Sequence, residues 1–102
     1  MPEPSLRQLE RHIRECANDS ANVVLTTHAR QRMKLRHITL PMVIDTLKRG
    51  VLGRPPEPDM RHPGLRCWMQ GFVAGMDVAV VVYVEHPAPG LVVVTVIDVN
   101  GD

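Results

Sequence analysis

Residues 66–99 read RCWMQGFVAGMDVAVVVYVEHPAPGLVVVTVIDV, and their reading decides the fold. From Arg66 onward the hydrophobic period is two. Arg66–Val73, Met76–Glu85 and Leu91–Val99 are therefore β-rich runs, dense in valine and carrying the aromatic residues. Ala74-Gly75 is short enough for a tight hairpin turn, and His86-Pro87-Ala88-Pro89-Gly90 makes a longer one. Hairpin connections place the three runs side by side in one antiparallel sheet. Val78–Val84 is apolar at nearly every position, so its strand is expected to be central and covered on both faces for much of its length.

Upstream the period is helical. Ser5 and Gln8 form a capping box after Pro4, and Leu6, Leu9, Ile13, Cys16 and Ala17 recur on one face, which predicts a helix over 5–18. Asn18-Asp19-Ser20 ends it with turn residues. Val23-Val24-Leu25 is either a short strand or an extended lead-in. Thr27 is placed to cap a second helix running to Arg36, short and basic, with only a narrow apolar stripe of Ala29 and Met33. Thr39 caps a third helix over 39–49. Pro41 lies in its first turn, and Leu40, Val43, Ile44 and Leu47 have clean helical spacing. Lys48-Arg49-Gly50 closes it with cations at the negative end of the dipole. Val51 opens a short edge segment; residues 53–65, with Pro55, Pro56, Pro58 and Pro63, form a loop mobile at its tip.

Helices followed by a meander mean an α+β fold, with N-terminal helices packed on a mainly antiparallel four-stranded sheet. The expected core sets Leu40, Val43, Ile44 and Leu47 on Val80, Val82, Val93 and Ile97 or their immediate neighbours. At 102 residues the chain is a single domain over 1–102, with residues 1–4 a flexible N-terminus. The aromatic residues number only three, which argues against a sheet that stacks several bases on its rings. The beginning of the chain has no apolar signal segment, no apolar run is long enough for a membrane span, and two cysteines make a poor disulfide framework. A cytoplasmic, bacterial-type protein that keeps away from membranes is the simplest reading.

Net charge is +1 but unevenly spread. Residues 1–50 carry nine Lys/Arg against five Asp/Glu, whereas residues 51–102 carry three against six. Within 26–37 (TTHARQRMKLRH) four cations and two histidines meet no acid. A polyanion is drawn there first; a well-solvated helix face is the alternative. No metal-ligand spacing and no glycine-rich phosphate loop occurs, so neither a metal nor any other cofactor is expected.

The block His28-Ala-Arg-Gln-Arg-Met33, with Arg36-His-Ile-Thr39 leading into the next helix and Val92–Val96 as the last strand, resembles a bacterial family of unknown function with an H-A-x-x-R-M signature. That family in turn resembles RelE-like RNases of the barnase–EndoU–colicin type. The resemblance implies helices on a four-stranded antiparallel sheet, and metal-independent RNA cleavage in toxin–antitoxin or competition systems. It also implies that Thr95 supplies a hydroxyl across the site. Related toxins often carry a tyrosine two residues further on, where this chain has Ile97.

The chemistry of metal-independent RNA cleavage suits the residues present. Histidine titrates in the range needed to move protons, and arginine pairs two phosphate oxygens at once. The expected catalytic set is His28, Arg32 and Thr95, with Arg30, Lys34 and Arg36 binding RNA. Each has an ordinary reading too. His28 caps its helix, Arg32 and Arg36 pair with Asp45 or Glu57, and Thr95 is a plain strand former. His12 and His37 are expected to face solvent, His62 and His86 to lie unpaired in loops, and Tyr83 to sit at the edge of the core. Three functions follow: a ribonuclease, a non-catalytic module binding RNA or an antitoxin or other acidic protein, or a toxin-neutralising or structural subunit dimerising through a sheet edge. The departure at Ile97 favours the second.

Overall fold

The computed structural model describes residues 4–101. The flexible N-terminus expected over 1–4 lies, except for Pro4, outside the described residues. Helix α1 spans Leu6–Ala17 between the Ser5 capping box and Asn18. A single 3-10 turn, Ser20–Asn22, leads into strand β1 at Val23–Leu25. Helices α2 (Thr27–Arg36) and α3 (Leu40–Arg49) follow, then β2 (Val51–Leu52), β3 (Glu57–Pro58), β4 (Leu65–Val73), β5 (Met76–Val84) and β6 (Leu91–Asp98).

Among the described residues the fold is α+β with three α-helices; the sheet has six strands rather than four and is mixed, mainly antiparallel with one parallel pair. Its order is β1-β6-β5-β4-β2, with β3 added on β4. The strands β4, β5 and β6 form the expected antiparallel meander. The additions are short. Val23-Val24-Leu25 pairs in parallel with Leu91–Val93, Val51-Leu52 pairs with Met69-Gln70, and Glu57-Pro58 breaks the 53–65 loop by pairing with Leu65-Arg66. Two- and three-residue strands carry too little periodicity to announce themselves.

One face of the sheet is covered by helices. Across from α3, Val78, Val80, Val82 and Val84 of β5 are buried with Cys67 and Met69 of β4 and Leu91, Val93 and Val96 of β6. From α3 itself Val43 and Leu47 are fully buried, joined by Leu9, Ile13, Cys16 and Ala17 of α1 and by Ala29 and Ile38. Ile44 is only partly buried and Leu40 is 43% exposed, so Leu40 is not a core residue. Leu6 of α1 is likewise exposed. The fourfold stripe of α3 is wider than the surface it meets, so Val43 and Leu47 fill the core while Leu40 and Ile44 lie at its margin.

The β6 register contains the main departure from period two. Val81 pairs with Thr95 but Val82 pairs with Val93, leaving Val94 as an extra residue in a bulge. Beyond the bulge every side chain changes face. Val96 therefore takes the core position expected of Ile97, and Thr95 and Ile97 turn to the face away from the core. β5 is central, as expected, but helices cover only one side. On the other, Ala79 is fully buried whereas Val81 and Tyr83 are partly exposed.

Two polar ties hold α1 to the far edge. Arg14 donates from Nε and Nη2 to the Gly50 carbonyl at 3.0 and 2.7 Å, and Glu10 accepts the Leu52 N–H at 2.9 Å. Gly50 is required there, because a Cβ would sit 2.7 Å from the Gln70 carbonyl oxygen.

Candidate functional site

The basic helix α2 starts where β1 stops, and its cap is Thr26 rather than Thr27. The Thr26 hydroxyl accepts the Ala29 N–H at 3.0 Å and reaches the Val93 and Val94 carbonyls at 2.9 and 3.2 Å. The Thr26 N–H also reaches Val93 O, at 3.2 Å. The bulge presents both carbonyls to one threonine, and so it sets where α2 begins.

His28 is therefore not the cap. It is exposed, and its Nε2 accepts from Arg32 Nε at 3.4 Å. In the neutral ring that contact places the proton on Nδ1. The one-turn spacing thus joins His28 and Arg32 as expected. Arg30 and Lys34 are exposed, and Arg32 is half-buried. Among the described residues none of these three has a carboxylate within ion-pair distance. The acids are used elsewhere: Asp45 by Arg49 at 3.1 Å, Glu10 by Arg14, and Asp59 by Arg66 and His62. The pairing of Arg32 with Asp45 or Glu57 does not form. Arg36 is half-buried and engaged with other groups. His37 is exposed and closes α2 in the left-handed conformation, with φ of 57°.

Thr95 stands on the helix-free face of the sheet, opposite Val81 and with Ile97 two residues on. Among the described residues no hydrogen bond joins Thr95 to His28 or Arg32. The structure brings the first two members of the expected catalytic set together and places the third on the sheet.

A second constellation on that helix-free face was not anticipated. His62 is not unpaired: its Nδ1 lies 3.0 Å from Asp59 Oδ2. The same oxygen accepts the backbone N–H groups of Arg61 and His62 at 3.0 Å, and Arg66 Nε donates to Asp59 Oδ1 at 2.9 Å. These bonds, the Arg61 N–H foremost and the His62 ring next, hold the Asp59 carboxyl well below the usual carboxylate range. The Tyr83 hydroxyl donates to Glu85 at 2.6 Å and accepts the Gly64 N–H at 3.0 Å. Burial, then the bond to Glu85, raises its pKa. A Cβ at Gly64 would lie 2.7 Å from the Tyr83 ring, so the loop passes this close only as glycine. His62 packs edge-on against Tyr83 with ring centres 5.7 Å apart. The signal in the sequence was an Asp and a His three apart in a loop, with Arg66 entering the strand.

All three aromatic residues share this face. The alternation of β4 puts Trp68 and Phe72 beside Arg66, and Tyr83 pairs with Arg66 from β5. The Arg54 guanidinium lies 3.6 Å from the centre of the Trp68 ring. Composition alone did not reveal this gathering. On the opposite side, His12 is held by the Ala88 carbonyl at 2.9 Å and packs edge-on against His86, so neither ring is free.

Among the described residues no group of three His, Cys, Asp or Glu side chains could hold a metal ion. Burial pushes the Cys67 thiol up to about 12, and burial followed by the nearby Glu15 charge raises Cys16. Among the described residues no helix is long and apolar enough to cross a membrane. No curated protein matches the chain, and no solved structure does. The stretch from Leu25 to Asp98, covering α2, α3 and the whole meander, matches one family along its length, and the chain belongs to that family, Domain of unknown function (DUF4258).

Proposed function

We propose that the protein is an RNA-acting domain of the RelE-like type, a metal-independent ribonuclease whose basic helix α2 grips the substrate backbone. The observation that carries this reading is that Arg30, Arg32 and Lys34 lie on one short helix with no carboxylate partner among the described residues. Cations left unpaired on a marginally apolar helix are poised for an outside anion. Phosphate answers both the fork of Arg32 and the point charge of Lys34.

In the cleavage step the 2′-oxygen attacks phosphorus to close a 2′,3′-cyclic phosphate, the bond to the 5′-oxygen breaks, and that oxygen takes up a proton from water. His28 takes the 2′-hydroxyl proton, and Arg32, released from the His28 ring by the incoming phosphate, stabilises the charge on the transition state. The test is cleavage of a broad RNA panel by purified protein in the presence of a chelator. Cleavage that disappears in His28→Ala supports the ribonuclease.

Ile97 favours a second reading, in which the same helix binds RNA or an acidic protein such as an antitoxin without cleaving. RNA retained at low salt, released at high salt and recovered intact would select that reading over the first.

A further inference from the structure

We propose that the helix-free face carries a second ligand site, a cleft that takes a phosphate ester through Arg66 and His62. This site is separate from α2 and does not depend on the reading given to it. The cleft, of about 320 Å³, is lined by Asp59, His62, Arg66, Tyr83, Val92 and Val94. A second depression of about 430 Å³ adjoins it and adds Met60 and Arg61.

The ligand class follows from what each polar group has left to offer. Asp59 accepts four bonds, two on backbone N–H groups and two on side chains, and its side chain is only 8% exposed. Held by four bonds and largely covered, it orients its neighbours instead of meeting a ligand. The Tyr83 hydroxyl is also satisfied on both sides and contributes a ring surface. The groups still free to act are donors. Arg66 is 50% exposed, with Nε on Asp59 and, among the described residues, no hydrogen bond from its two Nη groups. His62 is 65% exposed, with Nδ1 on Asp59, and as the imidazolium it donates from Nε2 as well. Arg61 adds a guanidinium; the carboxylates beside these donors are Asp59 and Glu85, both already engaged, and Glu57, which pairs across the strands with Arg66. Donors converging over a floor of Val92, Val94 and an aromatic ring suit an anion joined to an apolar, flat body. A nucleoside phosphate has that chemistry, either as a free monoester or as a diester within RNA.

Asp59 fixes both donors in one frame, as a carboxylate does when it sets the tautomer and direction of a histidine ring. A loop clasp alone would need the Asp59–Arg66 pair. It has no need of a histidine ring held by Nδ1 with the other nitrogen presented.

The experiment follows the His62 ring by NMR in the full chain, assigned with His62→Gln. The probes are inorganic phosphate, adenosine monophosphate and the dinucleotide UpU. A saturable shift of the His62 ring with an ester is expected. Affinity should fall about tenfold in Arg66→Gln, the worth of one charge-assisted contact. In Arg32→Gln the shift should be unchanged, because that residue belongs to α2. A response to the monophosphate alone identifies a free nucleotide as the source, and a response to UpU as well identifies RNA. Should Arg66→Gln lose its native spectrum, Arg66→Lys keeps the charge and removes the fork. Absence of a saturable shift with either ester, or a shift of unchanged affinity in a folded Arg66 variant, overturns the proposal.

Discussion

The Thr26 hydroxyl sits 2.9 Å from the Val93 carbonyl oxygen and 3.0 Å from the Ala29 nitrogen, so one side chain fastens the last strand to the start of the basic helix. It closes the helix end and ties α2 to the bulge at Val94 together. Thr26→Ala should cost about 1–2 kcal/mol in urea melts, toward the upper end of the range for a lost cap because the strand contact goes with it. Thr27, exposed in the first turn, should cost less than about 0.5 kcal/mol on the same change. Equal losses would mean that the cap lies elsewhere.

The packing of α3 makes a graded prediction. Leu47 is fully buried, and Leu47→Ala should cost ~2–5 kcal/mol. Ile44 is only partly buried, and Ile44→Ala should cost clearly less, roughly 1 kcal/mol. Leu40→Ala should be nearly silent. Denaturant midpoints at a constant m-value check the ranking, and a larger loss at Ile44 than at Leu47 would invert the assigned face of the helix.

These elements show what could be read from sequence and what could not. Caps and long periodic runs are local, and they marked Ser5, Thr39, Gly50 and the three long strands within a residue or two. The bulge is not local. Leu91-Val-Val-Val-Thr-Val-Ile looks equally apolar on either register, so nothing in the run says that Val94 is left out of the ladder. That single extra residue exchanged Ile97 for Val96 in the core and set Thr95 on the other face. The pairing of His28 with Arg32 was legible from helical spacing. The Asp59–His62–Arg66 cluster was not, because it needs a loop folded back on a strand, and only the short spacing of Asp59 and His62 hinted at it.

Cys67 makes a chemical prediction. Its thiol is fully buried and its pKa is pushed up to about 12, so the thiolate is scarce at any ordinary pH. A thiol reagent at pH 8 should leave Cys67 unmodified in the native protein and modify it promptly in denaturant. Native labelling at Cys67, read by mass spectrometry, would show that the sheet opens locally.

Asp59 ties stability to acid. Its carboxyl is held below its ordinary value of 3.8, so the folded state binds a proton less readily than the unfolded chain. The Asp59 contribution is therefore complete above the unfolded value and is lost as pH falls through the depressed folded value. Asp59→Asn should melt lower than the parent by a constant margin above about pH 5, and that margin should shrink steadily as pH falls below about 4. A margin independent of pH down to 2 would mean that the clasp owes nothing to the charge.

The last prediction concerns α2 and divides binding from chemistry. Arg30 and Lys34 are exposed and without a carboxylate partner, so each contributes to RNA chiefly as a charge. Removing a cation that touches one phosphate of a single strand should lower the slope of log K against log salt by about 0.7. The Arg30→Gln, Lys34→Gln double variant should therefore lose about 1.4 in slope, while keeping the turnover of any RNA it still binds. Arg32 differs because it also meets the His28 ring. If cleavage occurs, Arg32→Gln should lower turnover by orders of magnitude at saturating RNA, a loss that lower salt does not restore. His28→Gln should match it in direction with little change in the salt slope, since its part is to accept a proton and not to pair with a phosphate. An Arg32 variant that recovers full turnover at low salt would make Arg32 one more backbone contact, and the helix would then be a grip without a reaction centre.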